Sequence, residues 1–471
     1  MKKTILIIMT LMVVNTSFGQ LEKTENKIIT ENFVKNYNND DYKALFSMFA
    51  KVMKNALPLD KTKEYFSSLK TNAGNITSQE FVKYENGNSA SYKTIFENGI
   101  YRLNISVDNG SKIDGILIKS FKKESNVTKN ITNKLSENDI ITTKQAKIIV
   151  NKIKVFPHNT QISIAIIRHG NASFYGVKKN KEAVLSSENY KSIFEIGSIS
   201  KVFTSTLLAN FVMDKKIKLD DTINAYLNTP FNNGIKIPFI NLANHSSGLP
   251  RLPTNLNLLT VNPENPYKEY KEKDLQEYLS EHLKLSTKGK YQYSNLGAGL
   301  IGYTLSKYEN ETYENLLQTK IFSTYNMHNS TTDINKIKGH LVRGLNTKGK
   351  EVANWEFSVL AGAGGILSTA EDLAKFAIAQ FDSSNKELRL TRRESFEVNK
   401  NMSIGLGWHI LKNQAKNHWY WHNGGTGGYS SSMVIDTKTK NGIVILSNVS
   451  AFHPNMENID KLCFDLMKTL E

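Results

Sequence analysis

The chain has 471 residues, with 60 Lys and Arg against 44 Asp and Glu and a formal net charge of +16. Its 22 Phe and 20 Tyr exclude a disordered or low-complexity chain, and its one Cys excludes a disulfide framework or a multi-thiolate metal site. The length allows two or three domains, and the lysines are spread without the aromatic-interleaved basic stripe of a nucleic-acid reader, so no nucleic-acid partner is expected.

The first segment reads as an address. Lys2 and Lys3 precede the apolar run Ile5 to Val14, and Ser17-Phe18-Gly19 supplies small residues before Gln20. This pattern predicts a signal peptide over residues 1–19 and an exported protein, periplasmic or secreted, of bacterial type. The run is too short for a membrane span, and no later segment has 18 consecutive apolar residues, so the mature chain is expected to lack a transmembrane segment. Outside the cytoplasm, the positive charge would suit anionic cell-wall material.

Residues 20–121 predict a small α+β domain. Phe33, Tyr42, Leu45, Phe46, Phe49 and Met53 fall at helical spacing, and Tyr92 to Phe96, Tyr101 to Val107 and Ile113 to Ile118 read as strands. Asp108-Asn109-Gly110 marks a hairpin turn between the last two. Residues 122–145 are polar and rich in Lys, Asn and Thr, and read as a linker.

A larger domain is expected over residues 146–471. Ile162, Ile164 and Ile166 alternate in a strand, His169-Gly170-Asn171 turns it, and Ala172 to Val177 returns. A second hairpin runs from Met433 to Ile435 and back from Ile443 to Leu446, through a turn ending in Asn441-Gly442. Between the two lie helical patterns, one announced by the capping box Ser368-Thr369-Ala370-Glu371. Met456, Ile459, Leu462, Cys463, Leu466, Met467 and Leu470 form the apolar face of a last helix, so Cys463 reads as core. Strands at both ends with helices between predict one antiparallel sheet built from both ends of the domain, with a helical insertion.

Three motifs carry chemistry. Ser198-Ile199-Ser200-Lys201 opens an apolar helix, where residues three apart share a face and unpaired N–H groups point outward. Ser hydroxyl needs a base to become a nucleophile, and a desolvated Lys has its pKa lowered enough to serve. Ser-x-x-Lys also occurs at Ser67/Lys70, Ser120/Lys123 and Ser383/Lys386, so spacing alone does not single out Ser198. The second motif is Tyr293-Ser294-Asn295, ahead of the small-residue run Gly297-Ala298-Gly299. A phenol between cationic neighbours is expected to have a depressed pKa and to shuttle a proton. The third is His422-Asn423-Gly424-Gly425, where glycines would let a substrate backbone approach a strand edge.

In this order the three motifs resemble the serine β-lactamase and penicillin-recognising hydrolase family. The branch they resemble contains class C β-lactamases, D-alanyl-D-alanine carboxypeptidases, D-aminopeptidases and esterases. Leu219-Asp220-Asp221, His245-Ser246-Ser247-Gly248-Leu249-Pro250, Gly364-Gly365-Ile366-Leu367-Ser368 and Gly405-Leu406-Gly407-Trp408 fall where that family has supporting segments. The resemblance implies an α/β-type β-lactamase fold, an antiparallel sheet flanked by helices plus a helical subdomain. The N-terminal domain resembles the small nuclear-transport-factor-like α+β domains that precede hydrolases in some bacterial proteins. By resemblance, Ser198 is the acylated nucleophile, Lys201 its proton acceptor and Tyr293 the relay to the leaving group. Asn295 and Asn423 would bind substrate, and His422 would occupy the third motif's first position. Gly424 would line the strand edge, and the N–H groups of Ser198 and Gly425 would form the oxyanion hole. No metal or organic cofactor is implied.

His422 stands where β-lactamases of this branch usually have Lys, and Asn423 where they have Thr. This shifts the expectation toward peptidase, aminopeptidase or esterase chemistry on D-amino-acid peptides, esters or β-lactams. A penicillin-recognising binder or sensor with little turnover is the alternative. A Ser-His-Asp hydrolase would have to pair Ser198 with His422, since no Gly-x-Ser-x-Gly elbow occurs. A metal enzyme is disfavoured because His-Glu-x-x-His is absent. His245 reads as a structural hydrogen-bonding residue near the site.

Overall fold

A computed structural model of the protein describes residues 22–85, 89–108, 110–120, 131–135, 140–256, 261–286, 289–337, 341–412 and 418–471. The predicted signal peptide lies outside the described residues. The chain divides into two compact units, Met1–Thr128 and Lys129–Glu471. Among the described residues, no helix is long and apolar enough to cross a membrane.

In the N-terminal unit the helices α1 (Thr24–Asn38), α2 (Tyr42–Ser47), α3 (Lys51–Ala56) and α4 (Leu59–Ala73) precede an antiparallel meander. Its strands are β1 (Ile76–Glu85), β2 (Ser89–Phe96), β3 (Gly99–Val107) and β4 (Ile113–Ser120), paired in sequence order. Phe33, Tyr37, Leu45 and Phe66 from the helices pack with Tyr92, Phe96, Leu103 and Ile105 from the strands. The strand β1 has no counterpart in the sequence reading; its run Ser78, Gln79, Glu80 is polar and hides the pairing. Asn109 of the predicted hairpin turn lies outside the described residues. Beside it, Asp108 Oδ1 accepts from Gly110 N at 2.9 Å and from Lys112 N at 2.9 Å.

The second unit is a ten-stranded sheet with helices on both faces. Its strands are β5 (Thr132–Lys134), β6 (Gln161–Arg168), β7 (Asn171–Asn180), β8 (Ala183–Ser187), β11 (Phe396–Asn399), β12 (Met402–Ile404), β13 (His409–Lys412), β14 (His418–Gly425), β15 (Ser430–Asp436) and β16 (Asn441–Ser447). A two-stranded ribbon, β9 (Phe194–Glu195) with β10 (Leu367–Ser368), stands apart from it. The sheet order is β11-β12-β13-β14-β15-β16-β6-β7-β8-β5, so an early strand, β6, pairs with the late strand β16 as expected. His169 and Gly170, at φ 49° and 84°, make the left-handed turn that joins β6 to β7.

Both faces of the central strands are covered, which is why their apolar runs are continuous. Ile162, Ile164, Ile166, Ile443 and Ile445 face a layer of two helices, α5 (Thr143–Ile153) and α13 (Glu457–Met467). Ile459, Leu462, Cys463, Leu466 and Met467 are that layer's buried residues on α13, and Cys463 lies in the core as expected. Ala165, Ile167, Val444 and Leu446 face the larger core. That core holds α6 (Ser200–Met213), α7 (Phe239–Ala243), α8 (Glu272–Glu277), α9 (Asn295–Glu309), α10 (Tyr313–Leu317), α11 (Ala370–Ala379) and α12 (Lys386–Arg392).

Two local expectations are corrected. Within the predicted linker, Thr132–Lys134 pairs parallel with β8, so the sheet is mixed rather than purely antiparallel. Thr142, within the same segment, caps α5 through a reciprocal box with Gln145. A polar edge strand carries no alternation to read, and a cap belongs to the helix that follows it. The predicted box before α11 is instead a simple cap one residue later. Thr369, not Ser368, accepts from Asp372 N at 3.1 Å, because Ser368 is held in β10.

Candidate active site

Ser198 lies in a 3-10 turn, Gly197–Ile199, that leads directly into α6. The helix is almost wholly buried, its polar Ser200, Lys201, Thr204, Ser205 and Thr206 included, which fixes the turn in the interior. Lys201, one turn on, is 1% exposed, and its Nζ lies 2.9 Å from Ser198 Oγ and 2.6 Å from Ala363 O. Burial, aided by the nearby Arg251 charge, holds the Lys201 ammonium well below the usual lysine range. Once deprotonated, an amine that donates to Ala363 O keeps a lone pair for the serine proton.

The glycines of the second motif make that carbonyl contact possible. A Cβ on Gly299 would sit 2.7 Å from Leu360 Cδ2, and one on Gly362 would sit 2.7 Å from Ala298 O. Close packing of α9 on the turn Ser358–Ala363 therefore needs small residues, and the turn carries Ala363 O to Lys201.

Tyr293 immediately precedes α9, whose cap Ser294 accepts from Gly297 N at 2.9 Å. Ser198 acts on the Tyr293 hydroxyl, lowering its proton affinity, and Lys201 Nζ lies 5.0 Å from its ring centroid. The expected depression of its pKa is corrected. Burial pushes the phenol up, and Ser198 and Arg251 offset this only in part, so it rests protonated. His245 clamps this tyrosine from both sides in sequence. Its carbonyl accepts from Gln292 N at 2.7 Å, its Nδ1 accepts from Ser294 N at 3.2 Å, and its ring stands 4.5 Å from the Tyr293 ring. Asn295 is buried, with Nδ2 3.4 Å from Tyr267 OH and Oδ1 without a partner.

The third motif lies on β14, where residues alternate between faces. His422 and Gly424 face the nucleophile turn: a Cβ on Gly424 would lie 2.6 Å from Ser198 N and 1.9 Å from Ile196 O. Trp421 and Asn423 face α13, where Asn423 Nδ2 donates to Asp460 Oδ2 at 2.8 Å and the Trp421 ring packs 5.4 Å from Phe464. The expectation that Asn423 binds substrate is therefore corrected for its side chain, which is committed to the far face of the sheet.

β13 pairs with β14 only through Trp421, so residues 422–425 present an edge beyond it. Thr426 N donates toward Tyr429 O on the β15 side. Alternation then turns Gly425 N–H to the opposite edge, and a Cβ on Gly197 would lie 2.3 Å from that nitrogen. Ser198 N–H and Gly425 N–H are thus brought to the same cleft.

His422 is fully buried, its Nδ1 2.6 Å from Asn423 O and its Nε2 without a partner. Burial and the neighbouring His409 hold it well below the usual histidine range, so it is a neutral ring. His409, which the sequence reading passed over, lies with its ring tilted against that of His422, 5.0 Å between centroids, and its Nε2 3.2 Å from Tyr291 OH. Burial drops its pKa to about 4. Arg251 was also passed over. Its guanidinium stands 5.2 Å from the Tyr293 ring centroid, and it directly follows Pro250 of a segment already singled out.

Glu195, three residues before Ser198, is buried and accepts from Asn354 Nδ2 at 2.7 Å and Trp355 N at 2.8 Å. Burial pushes its carboxyl from 4.5 up to about 7. The folded state thus holds a proton that the unfolded state releases, and stability should fall as pH rises from about 4.5 to about 7, then level off. Thermal midpoints of Glu195→Gln are expected to lack this slope; a wild-type-like slope would show that another group causes it.

The family described as Beta-lactamase matches residues 155–463, and a family described as Protein of unknown function (DUF3887) matches residues 30–116. A β-lactamase of Psychrobacter immobilis is 25% identical over 363 residues, covering 67% of this chain and 84% of that protein. The D-alanyl-D-alanine-carboxypeptidase/endopeptidase AmpH of Escherichia coli (strain K12) is 24% identical over 301 residues, covering 58% and 76%. Among solved structures, a class C β-lactamase from Rhodobacter sphaeroides is similar at a TM-score of 0.59 and 18% identity, over 70% of this chain and 99% of that one. A β-lactamase/D-alanine carboxypeptidase from Pseudomonas syringae gives a TM-score of 0.57 at 22% identity, over 70% and 98%. These two likenesses establish the fold.

Proposed function

The chain belongs to the β-lactamase family, a family of serine hydrolases, and we propose that it is an exported enzyme that hydrolyses amide or ester substrates through an acyl-enzyme on Ser198. The observation that carries this reading is the 2.9 Å contact between Ser198 Oγ and a buried Lys201 Nζ whose proton affinity burial lowers. In the first step Lys201 Nζ takes the Ser198 proton as Oγ bonds to the substrate carbonyl carbon. The developing oxyanion is met by Ser198 N–H and Gly425 N–H. Tyr293, protonated at rest, gives its proton to the departing amine or alcohol as the C–N or C–O bond breaks, and recovers one from the Lys201 ammonium. Water then attacks the ester and returns Ser198 with the proton inventory restored.

The family acts on β-lactam and peptidoglycan-peptide substrates. We favour D-amino-acid peptides and esters over β-lactams for this chain. A neutral His422 offers no point charge to a carboxylate beside the strand edge, and the side chain of Asn423 is turned away.

A hydrolysis panel tests the reading: nitrophenyl acyl esters, D-amino-acid amides, D-Ala-D-Ala peptides and a chromogenic cephalosporin. Turnover of esters or peptides, with a rate that falls as acid protonates Lys201, is expected. Persistent labelling by a fluorescent penicillin without turnover would make the protein a binder. No turnover and no labelling would remove the proposal.

A further inference from the structure

A cation stands beside Tyr293 that does not lie on the third motif. Burial lowers the proton affinity of Lys201, His245 and His422 and brings the pKa of His409 down to about 4. Arg251 is exposed, its guanidinium is over the Tyr293 ring, and no carboxylate among the described residues pairs with it. Its main chain is tied to the start of α9: Arg251 O accepts from Asn295 N at 2.9 Å and from Leu296 N at 3.2 Å. The main chain of Arg251 is therefore held at Asn295, two residues from the Tyr293 ring that its guanidinium covers, and the buried Asn295 Oδ1 has no partner among the described residues. Its field reaches the groups around it, lowering the proton affinity of Lys201, His245, Tyr267, Tyr291 and Tyr293 alike. An unpaired guanidinium is a planar fork suited to a carboxylate, and it cannot be neutralised by losing its own proton.

We propose that Arg251 is a specificity-determining residue that selects substrates bearing a carboxylate on the acyl portion, while Asn295 receives the neighbouring polar group of that portion. This rests on the serine-hydrolase reading above, and it moves the anion-recognising charge from the strand edge to the loop before α9.

Matched esters test it. The acyl pair is the p-nitrophenyl half-ester of glutaric acid and p-nitrophenyl pentanoate; the leaving-group pair is 3-acetoxybenzoate and phenyl acetate. Wild-type protein is expected to favour the half-ester, chiefly through a lower KM, and the preference should weaken with salt. Arg251→Gln should lower kcat/KM on the half-ester about 10–100-fold more than on the pentanoate, and Arg251→Lys should recover part of it. Equal losses on both acyl esters, or a preference confined to the leaving-group pair, would overturn the proposal. Calorimetric binding of N-phenylglutaramic acid and its methyl ester to Ser198→Ala protein separates the two readings. Arg251-dependent preference for the acid without any ester turnover would sink the hydrolase reading and keep the anion site. Equal binding of both compounds would sink the anion site.

Discussion

Lys201→Ala is expected to lower kcat/KM for any ester by at least about 10³-fold, because it removes the group that accepts the Ser198 proton. Among the described residues, Lys201 Nζ is the base that hydrogen-bonds Ser198 Oγ; His422 Nε2 makes no hydrogen bond to that oxygen, and Tyr293 rests protonated. The result separates this site from a Ser-His arrangement, in which the same variant would keep most of its activity. Acylation followed by mass spectrometry, with circular dichroism to verify the fold, gives the answer. The thermal midpoint of the variant is expected to hold or rise, since burying a lysine at 1% exposure costs stability that an alanine does not. Loss of activity together with loss of fold would leave Lys201→Met, which fills the space without a base, as the deciding variant. Retained activity in either would end the case for Lys201.

Gly424→Ala carries the second large effect. Its Cβ would lie 1.9 Å from Ile196 O and 2.6 Å from Ser198 N, both backbone atoms that cannot rotate away. The strand and the nucleophile turn would have to separate, and with them the two N–H donors of the oxyanion cleft. Loss of one such donor costs about 10²–10³ in kcat, and that is the loss expected here, with KM changed less. The far side of β14 should hold, because Asn423 stays bonded to Asp460 and Trp421 stays packed on Phe464. An unchanged kcat in a folded variant would show that the edge of residues 422–425 does not form the cleft.

These two effects differ in how far the sequence foretold them. Ser198 and Lys201 lie three residues apart, so their meeting follows from helix geometry and was legible. Gly424 was visible as a glycine-rich edge, but its collision partners, Ile196 and Ser198, lie more than two hundred residues away in the chain. Asn423 fails for a related reason. Alternation along a strand is legible, yet which alternate set faces the nucleophile depends on where α13 packs. Tyr293 shows the limit for electrostatics: cationic neighbours could be guessed, whereas the burial that outweighs them could not.

The sequence by itself determined the order of the three motifs, the two-sided apolar strands of the sheet, the buried face of α13 and the presence of a separate α+β unit. Each is a local pattern, set by residue type at spacings of two, three or four. The tertiary structure alone decided that burial lowers the proton affinity of Lys201, that Asn423 turns outward, that Thr132–Lys134 joins the sheet, and that the Arg251 guanidinium stands over Tyr293. Burial, strand facing and the approach of distant backbones are properties of the closed chain, and no short window of residues contains them.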